Sequence, residues 1–137
     1  MALRLDTMRK RADFLAANRG HRVAMPGFVV LARPNGDRGL RLGVTVTKKI
    51  GNAVIRNRMK RRFRELARSV LPEAGRDNHD YVMIGRADGI ERAFAQMRAE
   101  LVTAVERLNA GKGDRGRRPN RRTRSFPSPP KTADAAR

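Results

Sequence analysis

Along residues 40–47 apolar and polar side chains alternate without a break: Leu40, Leu42, Val44 and Val46 against Arg41, Gly43, Thr45 and Thr47. A period of two places each set on one face of a β-strand, so the segment predicts a strand with one buried and one polar face. Upstream, Met8, Ala12, Leu15 and Ala16 recur at helical spacing and Gly20 supplies a stop, which predicts a short first helix. Val23 to Ala32 reads as strand but is broken at Pro26-Gly27, leaving either two short strands or one bulged edge strand. Pro34-Asn35-Gly36-Asp37 then predicts a turn.

Downstream the period changes. Ile55, Met59, Phe63, Leu66 and Val70 fall at i, i+4, i+8, i+11 and i+15, one stripe of a helix. Asn52 is a suitable N-cap, and the helix is expected to run to about Leu71, with Pro72 helping to end it. Tyr81 to Arg86 predicts another strand. Asp88-Gly89-Ile90-Glu91 has capping-box spacing and opens a last helix, with Ile90, Phe94, Met97, Leu101, Val105 and Leu108 as its buried stripe. The order is α-β-β-β-α-β-α when Pro26-Gly27 separates two strands. This is an α/β (α+β) chain with a helix-flanked sheet of mixed direction and no internal repeat.

The composition changes near Ala110. Residues 110–137 contain one aromatic, Phe126, and no periodic apolar pattern, so they cannot bury enough surface to offset their ordering entropy. They are expected to form a disordered basic tail following a globular domain at 1–109. Nine cationic residues against two acids give the tail a net +7, which leaves +12 of the chain's +19 on residues 1–109. The globular part is basic in its own right. With a pI near 11.9, self-repulsion disfavours the compact state, and a polyanionic partner is the economical explanation. Nucleic acid comes first and an anionic membrane surface second.

Other chemistries find little support. The chain has no cysteine, which excludes disulfides and thiolate metal sites and fits a reducing compartment. His21 and His79 have no ligand-like spacing and read as ordinary polar residues. No apolar run approaches the ~20 residues of a membrane span, and the N-terminal residues carry no secretory hydrophobic stretch. The expected compartment is the cytoplasm, with no membrane partner. No catalytic or metal-binding residue is assigned, because the basic segment has neither a carboxylate cluster nor an acid–base histidine pair. Asp77 and Asp80 read as parts of a turn before a strand.

The informative segment runs from Lys48 to Glu65. Arg56, Arg58, Lys60, Arg61, Arg62, Arg64 and Arg68 occupy the faces away from the apolar stripe, and Glu65 is the one acid among them before Pro72. Like charges at Arg56–Lys60, Lys60–Arg64 and Arg58–Arg62 repel by roughly 0.2–0.5 kcal/mol per pair. A solvated helix usually interleaves acids to avoid this, so the pattern favours a partner that supplies negative charge. Lys48 and Lys49 close the preceding strand, and the N-terminus beginning at Gly51-Asn52 adds its own positive end, which also favours phosphate. Duplex DNA read in the major groove is disfavoured by the lack of a helix-turn-helix pattern and of dimerising heptads.

Lys48-Lys49-Ile50-Gly51-Asn52-Ala53-Val54-Ile55-Arg56-Asn57-Arg58, continuing through Lys60, Arg61 and Arg64, resembles the signature of the bacterial ribonuclease P protein family. Ala12-Asp13-Phe14, Gly43-Val44-Thr45-Val46-Thr47 and Asp80-Tyr81-Val82-Met83-Ile84-Gly85-Arg86 extend the likeness over about residues 8–108. The resemblance implies a two-layer α/β sandwich similar to a ribosomal-protein domain, with a left-handed βαβ crossover, although general rules favour right-handed connections. It also implies a protein cofactor for a catalytic RNA that removes the 5′ leader of precursor tRNA. In that family the magnesium chemistry belongs to the RNA, and none is bound by the protein alone.

Carried over by position, Lys48, Lys49, Asn52, Arg56, Asn57, Arg58, Lys60, Arg61, Arg62 and Arg64 match the segment that meets the catalytic RNA. Arginine suits that task because its planar fork binds phosphate oxygens bidentately and stacks on bases. Phe14, with Thr45 and Thr47 on the polar face of the strand, matches a cleft that holds the single-stranded leader. There the chain departs from the family pattern: aromatics found elsewhere a turn after Phe14 and on the strand after Phe28 are Asn18 or Arg19 and Leu31. A small ribosomal or ribosome-assembly rRNA-binding protein and a nucleoid-type DNA-binding protein are the competing readings. The uncharged core of the Gly-Asn-Ala-Val-x-Arg-Asn-Arg block disfavours both. If a rigid helix rather than a tail carries the binding, Arg56→Ala combined with Arg58→Ala should weaken RNA binding more than deletion of 110–137; a filter-binding titration ranks the two.

Overall fold

The computed structural model describes residues 3–111 and the short strand at 114–115. The other residues assigned above to a basic tail lie outside the described set. The order of elements is β1 (Leu5–Thr7), α1 (Arg11–Ala17), β2 (His21–Ala24), β3 (Phe28–Pro34), β4 (Leu40–Thr45), α2 (Ala53–Ala74), β5 (His79–Gly85), α3 (Phe94–Asn109) and β6 (Asp114–Arg115), with a 3-10 turn at Ala87–Gly89. They form one sheet in the order β1-β4-β5-β3-β2-β6. β1, β4 and β5 are mutually parallel, whereas β3 runs antiparallel to β5 and to β2, and β6 antiparallel to β2. The sheet is therefore mixed, and α2 makes the crossover between the adjacent parallel strands β4 and β5.

Strand alternation divides the core. Phe28, Val30 and Ala32 of β3, Leu40 and Leu42 of β4, and Tyr81 and Met83 of β5 enter the main cluster with Met59, Phe63, Leu66, Val70, Met97, Leu101 and Val105 from α2 and α3. The opposite face sends Leu31 and Val82 into a smaller cluster with Met8 and Ala17, edged by Phe14, Val29 and Ile84. Thus α2 and α3 form one layer, and the short α1 lies across the other side of the sheet. Two strand glycines permit these approaches. A Cβ on Gly85 would come within 2.6 Å of the Met59 sulfur, and one on Gly43 within 2.6 Å of the Phe14 ring.

Pro26-Gly27 separates two antiparallel strands, the first of the two arrangements left open by the sequence, with the Met25 N–H donating to the Phe28 carbonyl at 2.7 Å. Several other sequence expectations need correction. Leu15 is 52% exposed; α1 presents Phe14 and Ala17, rather than Ala12 and Leu15, to the sheet. α2 passes through Pro72 to Ala74, a loss of one helix bond in the last turn that buried Val70 and Leu71 offset. β1 is a three-residue strand with no readable alternation; it is held by pairing Leu5 with Leu40 and Thr7 with Leu42. No side chain caps α3, which starts at Phe94 after Ala93, so the capping box at Asp88–Glu91 does not form.

Asp80 is the largest departure. It lies in β5 with no solvent exposure, the one buried charged residue among those described. Arg41 grips it with both prongs, Nε to Oδ1 at 2.7 Å and Nη2 to Oδ2 at 2.8 Å, and Asn35 Nδ2 donates to Oδ1 at 2.7 Å. Arg41 Nη1 reaches on to Asp13 of α1 at 3.3 Å. Asp77 does occupy a turn, accepting from the Asn78 N–H at 2.9 Å.

Burial works against the Asp80 charge, but hydrogen bonds from Arg41 and Asn35 and the charges of Arg41 and Arg33 outweigh it, holding the carboxyl below its ordinary 3.8. The folded state therefore binds this proton less readily than the unfolded chain. The stabilisation is complete above 3.8 and is lost as pH falls toward the lower folded value. Asp80→Asn should cost roughly 3–5 kcal/mol at neutral pH by leaving Arg41 without its buried partner, and should remove this component of acid sensitivity. Urea unfolding across the acid range measures both effects.

Candidate RNA-binding surfaces

β4 ends at Thr45, and Lys48 and Lys49 lie in the following turn, which the Ile50 N–H closes onto the Thr47 carbonyl at 3.1 Å. The two lysines are exposed and belong to this turn rather than to the strand end. Asn52 caps α2: its Oδ1 accepts from the Ile55 N–H at 3.0 Å and its carbonyl accepts from Arg56 N–H at 2.9 Å. Ala53 and Val54 are exposed residues, and their amides, at the helix mouth, have no intrahelical acceptor. Two ammonium groups and a helix N-terminus thus adjoin.

The cationic residues of α2 do different things. Arg58, Arg61 and Arg64 are exposed with no acidic partner among the described residues, and Asn57 is exposed beside them. Lys60 is half-buried, and so is Arg56, whose Nε donates to the Gly51 carbonyl at 3.2 Å and braces the turn. Arg62 points elsewhere: Nη1 donates to the carbonyls of Gly89 (3.4 Å) and Ile90 (3.2 Å), and Nη2 to that of Arg92 (2.6 Å). It ties α2 to the segment entering α3. Arg68 is exposed but paired with Glu65 at 3.2 Å. The structure therefore gathers Lys48, Lys49, Asn57, Arg58, Arg61 and Arg64 on solvent-facing surface, and turns Asn52 and Arg62 to structural work.

The second candidate surface is on the α1 side of the sheet. Phe14 is half-buried with its ring over Gly43. Val29, Ile84 and Thr45 sit side by side across β3, β5 and β4 on the same face, each half-buried. Phe14, Val29 and Ile84 together edge the smaller core, so an apolar strip borders the aromatic ring. Thr47 is exposed beyond the strand end and leads into the lysine turn. Leu31 is 1% exposed and Asn18 and Arg19 are exposed, so none of the three supplies an aromatic to this face. The strip of Val29 and Ile84 escaped sequence reading, although alternation along β3 and β5 carried the signal. Arg86 was missed as well; it follows β5, is exposed, and donates from Nη1 to the Met25 carbonyl at 3.0 Å.

A mixed α/β sheet with an arginine-rich crossover helix defines a protein built to dock on polyanion. Residues 3–109 match the family model described as Ribonuclease P. The chain is 63% identical over 114 residues to the ribonuclease P protein component of Erythrobacter litoralis, covering 83% of this chain and 94% of that protein. The ribonuclease P protein of Thermotoga maritima superposes with a TM-score of 0.64 at 33% identity over 75% of this chain and 97% of its own. That of Staphylococcus aureus gives 0.62 at 32% identity over 73% and 92%. The chain belongs to the bacterial ribonuclease P protein family, the protein subunit of the endoribonuclease that matures the 5′ ends of tRNA. Membership implies partnership with the ribonuclease P RNA, and the ribosomal and nucleoid readings give way.

The two classes of arginine should separate on substitution. Arg62→Ala should lower stability by about 1.5–3 kcal/mol, the scale of a charge-assisted hydrogen bond. Arg61→Ala should leave the unfolding midpoint nearly unchanged while weakening affinity for the RNA. Thermal melts and binding titrations on the same two variants distinguish the effects.

Proposed function

We propose that the outer face of α2 docks on the ribonuclease P RNA, while the α1 face of the sheet receives the single-stranded 5′ leader of precursor tRNA. The observation that carries this reading is the set of exposed, acid-free arginines Arg58, Arg61 and Arg64 on a rigid helix. The N-terminus of that helix continues through Lys49, Lys48 and Thr47 into the Thr45 end of the half-buried strip. A 22-residue helix spans about 33 Å, so the charges keep a fixed spacing and can match phosphates on a folded RNA. Phe14 offers a ring edge and the strip an apolar floor for bases, with stacking worth ~1–3 kcal/mol per base.

Among the described residues no three His, Cys, Asp or Glu side chains form a group able to hold a metal ion. The carboxylates of Asp13 and Asp80, on this side of the sheet, are engaged by arginines. The donor set does not fit a protein-held magnesium ion, and we assign metal chemistry to the RNA. We place the assembly in the cytoplasm, where its RNA partner would meet precursor tRNA; separately, no helix among the described residues is long and apolar enough to cross a membrane.

Adding the purified chain to ribonuclease P RNA should lower the magnesium concentration needed to process precursor tRNA, because protein cations replace part of the counterion requirement. Identical processing with and without protein across a magnesium titration would contradict the assignment.

A further inference from the structure

α1 is poorly secured by its own packing. It has seven residues, no side-chain cap and one buried residue, Ala17; a helix this short is marginal without tertiary restraint. Its position over the sheet is set by an ionic chain that starts in the sheet's buried layer. Asp80 holds Arg41 through two short bonds, Arg41 Nη1 reaches Asp13 Oδ2 at 3.3 Å, and Arg38 Nη1 reaches Asp13 Oδ1 at 3.2 Å. Asp13 immediately precedes Phe14, whose ring rests on Gly43, two residues along β4 from Arg41. The Arg41 and Asp13 side chains are both only 13% exposed, whereas Arg38 is 56% exposed. The Arg41 contact is thus the better shielded of the two.

An acid beside a surface that receives RNA would repel phosphate unless neutralised. Two arginines neutralise this one, and the carboxylate is turned into a strut. We propose that Asp13 and Arg41 are positioning residues for the leader-binding face: their ion pair sets how α1 seats Phe14 on the sheet, and with it how tightly the face holds a single-stranded nucleotide chain. The inference rests on the leader reading given above. Neither residue touches the leader. Their influence passes through Phe14.

The test uses the full chain assembled with ribonuclease P RNA and two precursor tRNAs, one with a long leader and one with a single-nucleotide leader. Asp13→Asn keeps the shape and removes the charge. It should raise KM for the long-leader substrate about tenfold, equivalent to about 1.4 kcal/mol, while kcat, KM for the short leader and affinity for the ribonuclease P RNA stay unchanged. Asp13→Glu, which restores a carboxylate, should recover most of the loss. On a Phe14→Ala background the Asp13→Asn change should have little further effect, because residues acting through one contact are not additive.

An equal KM rise for both leaders, or full additivity with Phe14→Ala, would overturn the positioning role. So would a variant that keeps the native preference for the long leader. A native chain that itself shows no leader-length dependence would instead remove the leader reading, and this inference with it.

Discussion

A carboxylate without water must be surrounded by donors, and Asp80 meets that requirement by recruiting three separate parts of the chain. Arg41 comes from β4, Asn35 from the turn after β3, and Asp13 of α1 is held at one remove through Arg41. Removing any donor leaves charge in a low-dielectric interior, which costs several kcal/mol, so the arrangement tolerates little variation. The register of β4 against β5, in which Arg41 lies opposite Asp80, follows from the same constraint. So does the placement of α1. Hydrophobic burial makes the sheet and helices compact, but this network selects which helix lies where on the minor face.

The network also separates the two ends of the sheet. Arg41 and Asp80 lie near the start of β4 and β5, and Thr45 and Ile84 lie near their ends, about 13 Å further along a strand that rises roughly 3.3 Å per residue. Acids tied to the minor face, Asp13 and Asp80, are thus concentrated at one end. At the other end β4 leads into Lys48, Lys49 and the N-terminus of α2, with Arg86 following β5. Neutralised carboxylates thus lie at one end of the minor face, and exposed cations with no acidic partner among the described residues at the other. The fold gives a strongly basic chain a direction.

Arginine is spent on structure at some positions here and left to solvent at others, and geometry separates the two. Arg41, Arg62 and Arg92 spend their guanidinium groups on Asp80, on three backbone carbonyls and on Glu100, respectively. Arg58, Arg61 and Arg64 have no such partners among the described residues. The second group is left to satisfy its charge outside the protein. One residue type at adjacent positions, Arg61 and Arg62, therefore does opposite work, because a helix turns about 100° between them.

The amino-acid sequence by itself determined the elements whose periodicity is long: the alternation at 40–47, the stripe from Met59 to Val70 (Ile55, at its start, is only half-buried), and the Asn52 cap. It also carried the charge pattern and the motif that identify an RNA partner. Burial periodicity and capping chemistry are local, so they can be read without knowing the fold. Tertiary structure alone decided what depends on distant partners. β1 exists through pairing with β4, and the segment at Asp88–Glu91 forms no cap because Gly89 packs on Gly27 while Arg62 takes the carbonyls of Gly89, Ile90 and Arg92. Asp80, read locally, belonged to a turn; Arg41, thirty-nine positions earlier, makes it a buried anchor. Which arginines are left facing solvent, and which hold the protein together, is settled by what folding brings within hydrogen-bond distance.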